Sequence, residues 1–150
     1  MKYYLDCEFN GYRGELISLA LVSQDGDELY LANRKRREAS IEWVSLNVEP
    51  IIGHPSWIEL RNFGFAIEQF LHGDPLPHIV ADWPDDIRYL CECLITGPGE
   101  MVKIPALRCD VERVDAYPTD LHGAVQHNAL WDARALKFKL SQSSGDRGGK

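Results

Sequence analysis

Asp6 and Glu8 flank Cys7 in the run K-Y-Y-L-D-C-E-F-N, residues 2–10. An extended chain alternates its side chains, so both acids point one way while Leu5, Cys7 and Phe9 point the other. Two neighbouring carboxylates repel each other unless a proton or a cation intervenes. Hard oxygen donors in such a pair suit a divalent cation of the Mg²⁺ or Mn²⁺ type. A strand end fraying into solvent is the structural alternative.

Two further stretches offer chemistry. A-D-W-P-D-D-I-R-Y-L, residues 81–90, brings three acids to the junction of a strand and a helix. Asp82 suits a helix cap, with Pro84 in the first turn and Asp85 near the positive helix end. Asp86 lies one turn before Leu90 on the apolar stripe. An acid bordering the core needs a partner, which makes Asp86 the ligand candidate and Asp82 its alternative. In H-N-A-L-W-D-A-R-A-L-K, residues 127–137, Asp132 borders the stripe of Ala129 and Leu136. His127 and Asp132 would stand ~140° apart on one helix. They serve one site only if His127 sits in the loop just before the helix.

The elements that must position these groups follow from periodicity and breakers. Residues 2–9, 15–23 and 28–32 read as strands joined by a turn at Asn10–Gly14 and a hairpin at Asp25-Gly26. Helical spacing appears at 39–48, stopped by Pro50, and at 56–71, ended by His72-Gly73-Asp74-Pro75. Residues 78–81 form a short buried strand. A helix then carries Ile87, Leu90, Cys91 and Leu94 on one side, a further strand lies within 100–113, and a last helix spans 128–140. A meander followed by alternating helices and strands makes an α/β domain with a mixed sheet. Residues 1–140 form the single domain, and 141–150, with no apolar anchor, form a disordered C-terminal tail.

The totals fit that frame. At 150 residues the chain has the size of one domain. Its formal net charge of −7 argues against a passive nucleic-acid binder, though not against a nuclease whose acidic site draws cations. The four cysteines, at 7, 91, 93 and 109, have no zinc-knuckle spacing and read as reduced and mostly buried. No secretory signal or membrane span is evident, which points to a cytoplasmic protein. The only dense basic run is Arg34-Lys35-Arg36-Arg37, either a phosphate-steering patch or a solvated loop.

Asp6 and Glu8 on the first strand, an acid opening a mid-chain helix and H-x₄-D at the last helix together resemble the DEDDh 3′–5′ exonucleases. The wording of Y-L-D-C-E-F, E-L-I-S-L-A-L-V, W-V-S-L-N-V-E-P and H-N-A-L-W-D-A-R is similar to the small bacterial exoribonuclease branch related to ribonuclease T. The likeness runs from about residue 3 to residue 138. It implies a ribonuclease-H-like fold. It also implies two divalent cations, Mg²⁺ or Mn²⁺, held by Asp6, Glu8, Asp86 and Asp132, with His127 as general base. Phe9 would stack on the terminal base, core packing being the alternative for that ring. RNA is the implied substrate and a homodimer the implied assembly. A DNA exonuclease of the proofreading type, acting on single-stranded DNA, and a non-catalytic nucleotide-binding protein of the same fold are the rivals. The chain departs from the family pattern at Asp85, where an aromatic is usual, and at Trp131, to which no role is assigned.

Overall fold

A computed structural model describes residues 1–146, with side chains as far as Ser143. Strands β1 (Lys2–Phe9), β2 (Leu16–Ser23) and β3 (Glu28–Asn33) run as the expected antiparallel meander. There follow α1 (Glu42–Asn47), β4 (Ser56–Ile58), α2 (Phe63–Phe70), β5 (His78–Ala81) and α3 (Pro84–Leu94). A small hairpin of β6 (Ile95–Gly97) and β7 (Glu100–Met101), then β8 (Arg108–Val111) and α4 (Ala129–Asp146), complete the chain. The sheet has the order β4-β3-β2-β1-β5-β8, with β4, β5 and β8 parallel to their neighbours. This is the mixed α/β sheet expected of a ribonuclease-H-like fold.

Helices cover both faces of the sheet, and every residue of β2 is therefore buried. On one face Leu5, Cys7, Leu19, Leu21 and Ile79 pack against Phe63 and Ile67 of α2 and Leu90 and Leu94 of α3. On the other, α4 lays Ala129, Ala133, Leu136 and Leu140 against Tyr4, Ala20, Val22 and Val80. Asp6 and Glu8 share the face of Tyr4. The alternation read in D-C-E thus has Cys7 in the core and both acids turned toward α4.

Three expectations need correction. The helix over 56–71 starts only at Phe63, because residues 56–58 add a parallel edge strand to β3. Trp57 and Ile58 favour extended backbone, and the open edge of the meander offers them a ladder. Of the cysteines only Cys7 is buried; Cys91 is exposed, because α3 turns that side outward. The last helix passes Leu140 and continues to Asp146, so that the first part of the expected tail is helical. Residues 147–150 of that tail lie outside the described residues. Among the described residues no helix is long and apolar enough to cross a membrane.

Helix α2 is held close to the end of α3 by Gly64, where a β-carbon would lie 2.1 Å from the Cys93 carbonyl oxygen. A carbonyl on the backbone cannot swing away. Gly64→Ala is expected to destabilise the fold by on the order of 2 kcal/mol. That corresponds to a melting temperature about 4–8 °C lower. An unchanged melting curve would show that the two helices do not meet this tightly.

Candidate active site

Strand β1 is paired with β5 only over Lys2–Tyr4, so its last four residues run past the end of that neighbour. The carboxyl ends of β1 and β5 therefore open a crevice where the pairing changes from antiparallel to parallel, a usual location for ligands in such sheets. Helix α3 starts at this crevice. Asp86, in its first turn, uses Oδ1 to accept the Cys7 backbone N–H at 3.2 Å, a donor that β5 leaves unpaired. Asp86 is 2% exposed, and its Oδ2 has no partner.

From the opposite side comes the start of α4. Asn128 caps this helix, its Oδ1 accepting the Trp131 N–H at 3.1 Å. The Asn128 amide donates to the Ile51 and Ile52 carbonyls, tying the cap to the turn after α1. His127 precedes the cap and takes φ +68°, a left-handed conformation uncommon for a residue with a side chain. This places it outside the helix, the condition for sharing a site with Asp132. Asp132 Oδ2 accepts the His127 backbone N–H at 3.0 Å, while its Oδ1 is buried without a partner.

These residues line one cavity of about 520 Å³. Ligating atoms of Glu8, His127 and Asp132 lie within 4.8 Å of one another, and so do those of Asp6, Asp82 and Asp86. All six expected polar residues are thus brought together, and Asp82 reaches the cavity as well as Asp86. Asp82 does not cap α3: the cap position is Trp83, whose side chain makes no capping bond to the helix backbone and instead donates its indole N–H to the Asp85 carboxylate at 3.2 Å. Pro84 at the helix start lacks one of the N–H groups that this end of a helix otherwise leaves unpaired.

Asp6, Glu8, Asp82, Asp86 and Asp132, so close together, cannot all stay ionised without counter-charge. Two charges 4 Å apart repel by about 4 kcal/mol at an effective dielectric near 20. Burial first, then Asp132, lifts the Glu8 carboxyl from 4.5 to about 9. Burial and the Asp82 charge lift Asp86 to about 8, and burial lifts Asp132 to about 6. Asp6 is pushed well above the usual carboxylate range by burial, then by Asp86, Asp132, Glu8 and Asp82 in turn. Its Oδ2 is a third buried oxygen with no partner. Only protons or cations can satisfy such a set. The donors are all hard oxygens except for one imidazole, so hard divalent cations fit them.

Phe9 does two things at once. It packs on the core cluster and lies 4.8 Å from the Tyr89 ring, yet it also lines the cavity. The Tyr89 hydroxyl in turn donates to the Gly14 carbonyl, fixing the turn after β1. None of Arg34, Lys35, Arg36 or Arg37 lines the cavity. Arg36 is bound to Ser40 and Glu49, and Arg34 pairs with Glu59 at 3.5 Å. Trp131 is accounted for by packing: its ring lies against Gly123 and under the Arg134 guanidinium, 4.3 Å from its centroid.

Several cavity residues have no counterpart among the expected ones, and two of them, Trp43 and Tyr117, touch the polar groups directly. Trp43 of α1 sets its ring edge-on to the His127 imidazole, centroids 4.9 Å apart. The run W-V-S-L-N-V-E-P contains it, but nothing in that run's spacing ties it to a histidine 84 positions later. Tyr117 lies in the irregular stretch 112–128, and its buried hydroxyl faces Asp132 without a well-aligned hydrogen bond. A stretch without period gives no clue to which residue turns inward.

The mixed sheet is consistent with a ribonuclease-H-like fold, and its crevice gathers six acids and a histidine that could hold a divalent cation. No family model matches the chain. It is similar to two proteins of Mycobacterium tuberculosis, named 3′-5′ exoribonuclease Rv2179c and 3′-5′ exoribonuclease MT2234.1. Each is 27% identical over 168 residues, covering 99% of this chain and 97% of the relative.

Proposed function

We propose that this chain is a metal-dependent 3′–5′ exoribonuclease. The observation that carries the reading is the convergence of Asp6, Glu8, Asp86 and Asp132 on one cavity, with oxygens of Asp6, Asp86 and Asp132 buried and unpartnered. Those four residues would hold two divalent cations, Mg²⁺ or Mn²⁺. When bound, such cations supply charge to offset the phosphodiester and make a water easier to deprotonate. The choice of RNA and of 3′–5′ direction rests on the names of the two relatives.

The chain's own groups divide the remaining work. His127 faces Glu8 and Asp132 and takes a proton on its imidazole; its backbone N–H holds Asp132 in place. Trp43 restricts the imidazole on one side. Phe9, backed by Tyr89, presents an aromatic face on which a terminal base of any identity stacks. The exposed rings of Tyr12 and Trp83 stand at the rim of the same cavity.

Digestion of matched RNA and DNA oligonucleotides, labelled at either end, tests this directly. With Mg²⁺ or Mn²⁺, mononucleotides are expected from the 3′ end of RNA, and chelator should abolish their release. Faster digestion of DNA would transfer the reading to a DNA exonuclease. Nucleotide binding without cation-dependent release would show a non-catalytic protein.

A further inference from the structure

Asp82 has no structural role in the fold that holds it. It caps no helix, accepts no hydrogen bond from another described residue and joins no described ion pair. Arg113, the cation that attracts it, sits instead over the Trp83 ring, 4.6 Å from its centroid. An acid with no such tie gains most from turning into water, and Asp82 stands at a junction where solvent is close. It is nonetheless half-buried, with a carboxylate oxygen within 4.8 Å of those of Asp6 and Asp86. Beside it, Asp86 is 2% exposed with Oδ2 unpartnered, and Asp6 Oδ2 is likewise buried and unpartnered.

The six polar residues sort into two groups, Glu8–His127–Asp132 on the α4 side and Asp6–Asp82–Asp86 on the α3 side. Within the reading of this cavity as a metal centre, we propose that Asp6, Asp82 and Asp86 form a protein-only site for one divalent cation. This site fills in the free protein, before any nucleotide arrives. Asp6 and Asp86 alone would leave the ion dependent on phosphate oxygens for much of its coordination, as is common for sites of few carboxylates. The third carboxylate brings the local charge to three negatives against two positives. That surplus holds a cation without help from a phosphate. Asp82 is thus a ligand in addition to Asp86, not in place of it.

Calorimetric titration of the whole chain with Mn²⁺, without nucleotide, tests the proposal. The wild-type protein is expected to bind two ions. Asp82→Asn should weaken one of them by at least about tenfold while leaving the other, since changes even one shell further out cost 10–100-fold in affinity. Glu8→Gln should weaken the complementary ion. Without Mn²⁺, Asp82→Asn is expected to melt no lower than wild type, because it removes a repelling charge, and this separates lost binding from lost folding. Equal affinity and stoichiometry in wild type and Asp82→Asn would overturn the role of Asp82. A wild type whose nucleotide-free ion is weakened by Glu8→Gln but not by Asp82→Asn, with any second ion entering only when nucleotide is added, would overturn the protein-only site. A wild type that binds no Mn²⁺ under any condition would overturn the metal-centre reading itself.

Discussion

Asp6→Asn is expected to remove nearly all nuclease activity and, in the absence of cations, to make the protein more stable. The Asp6 carboxyl lies between the two groups of acids and is repelled by Asp86, Asp132, Glu8 and Asp82. An amide there cannot supply the negative charge that a cation bound in this cavity would need. The loss of several kcal/mol of transition-state stabilisation corresponds to a fall in turnover of about a thousandfold or more. The same change relieves repulsion in the cation-free protein. Its melting temperature in chelator should rise, whereas the rise that Mn²⁺ produces in wild type should shrink. An Asp6→Asn protein that keeps wild-type turnover would remove the site from consideration.

The pH dependence follows from the same charges. Glu8 and Asp86 titrate near 9 and 8 in the fold, far above their ordinary 4.5 and 3.8, and Asp132 near 6. Between those limits the folded protein holds protons that the unfolded chain has released. Stability in chelator therefore falls as pH rises from about 4 to about 9, the opposite of the usual carboxylate trend. Bound Mn²⁺ takes the place of the protons and should flatten this slope, because the ionised carboxylates are then the stabilised form. Melting curves at pH 5, 7 and 9, with chelator and with Mn²⁺, read both trends. A chelated protein that gains stability toward pH 9 would show that the carboxyls are not buried as described.

Much of this arrangement is legible in the chain because strands and helices carry fixed periods. The two-residue period puts Asp6 and Glu8 together and Cys7 behind them, and nothing outside residues 2–9 is needed to see it. Asp132 and Asp86 are readable in the same way, as acids bordering apolar stripes. The relation between Asp82 and Asp86 is not readable. Whether an acid ahead of a helix caps it or turns aside depends on where the neighbouring strand ends, and β5 ends one residue earlier, at Ala81. Strand β4 escapes for a related reason: three residues carry too little pattern to compete with the helical stripe that follows. Trp43 is the clearest loss. Its contact with His127 depends on how α1 and the loop before α4 dock on the sheet, a distance in space that no spacing encodes.

His127→Gly should reduce turnover by about 10²–10⁴-fold with little change in stability. The choice of glycine matters because His127 occupies φ +68°. Alanine there must hold its β-carbon against the following carbonyl, costing roughly 1–2 kcal/mol. A His127→Ala protein would therefore mix a chemical defect with a backbone one. Glycine adopts the conformation freely and keeps the N–H that Asp132 accepts at 3.0 Å. Asn is a second control, as it tolerates the left-handed region but lacks a group that takes a proton at neutral pH. If the imidazole moves a proton, Gly and Asn variants lose activity together and retain Mn²⁺ binding to Asp6, Asp82 and Asp86. If His127 serves only to turn the chain into α4, the Gly variant keeps its activity and the Ala variant alone is impaired. Trp43→Ala extends the comparison, since it frees the imidazole without touching a carboxylate. A loose general base misplaced by about an ångström loses up to ~10²-fold. Trp43→Ala is thus expected to fall between wild type and His127→Gly in turnover, and to match wild type in cation affinity.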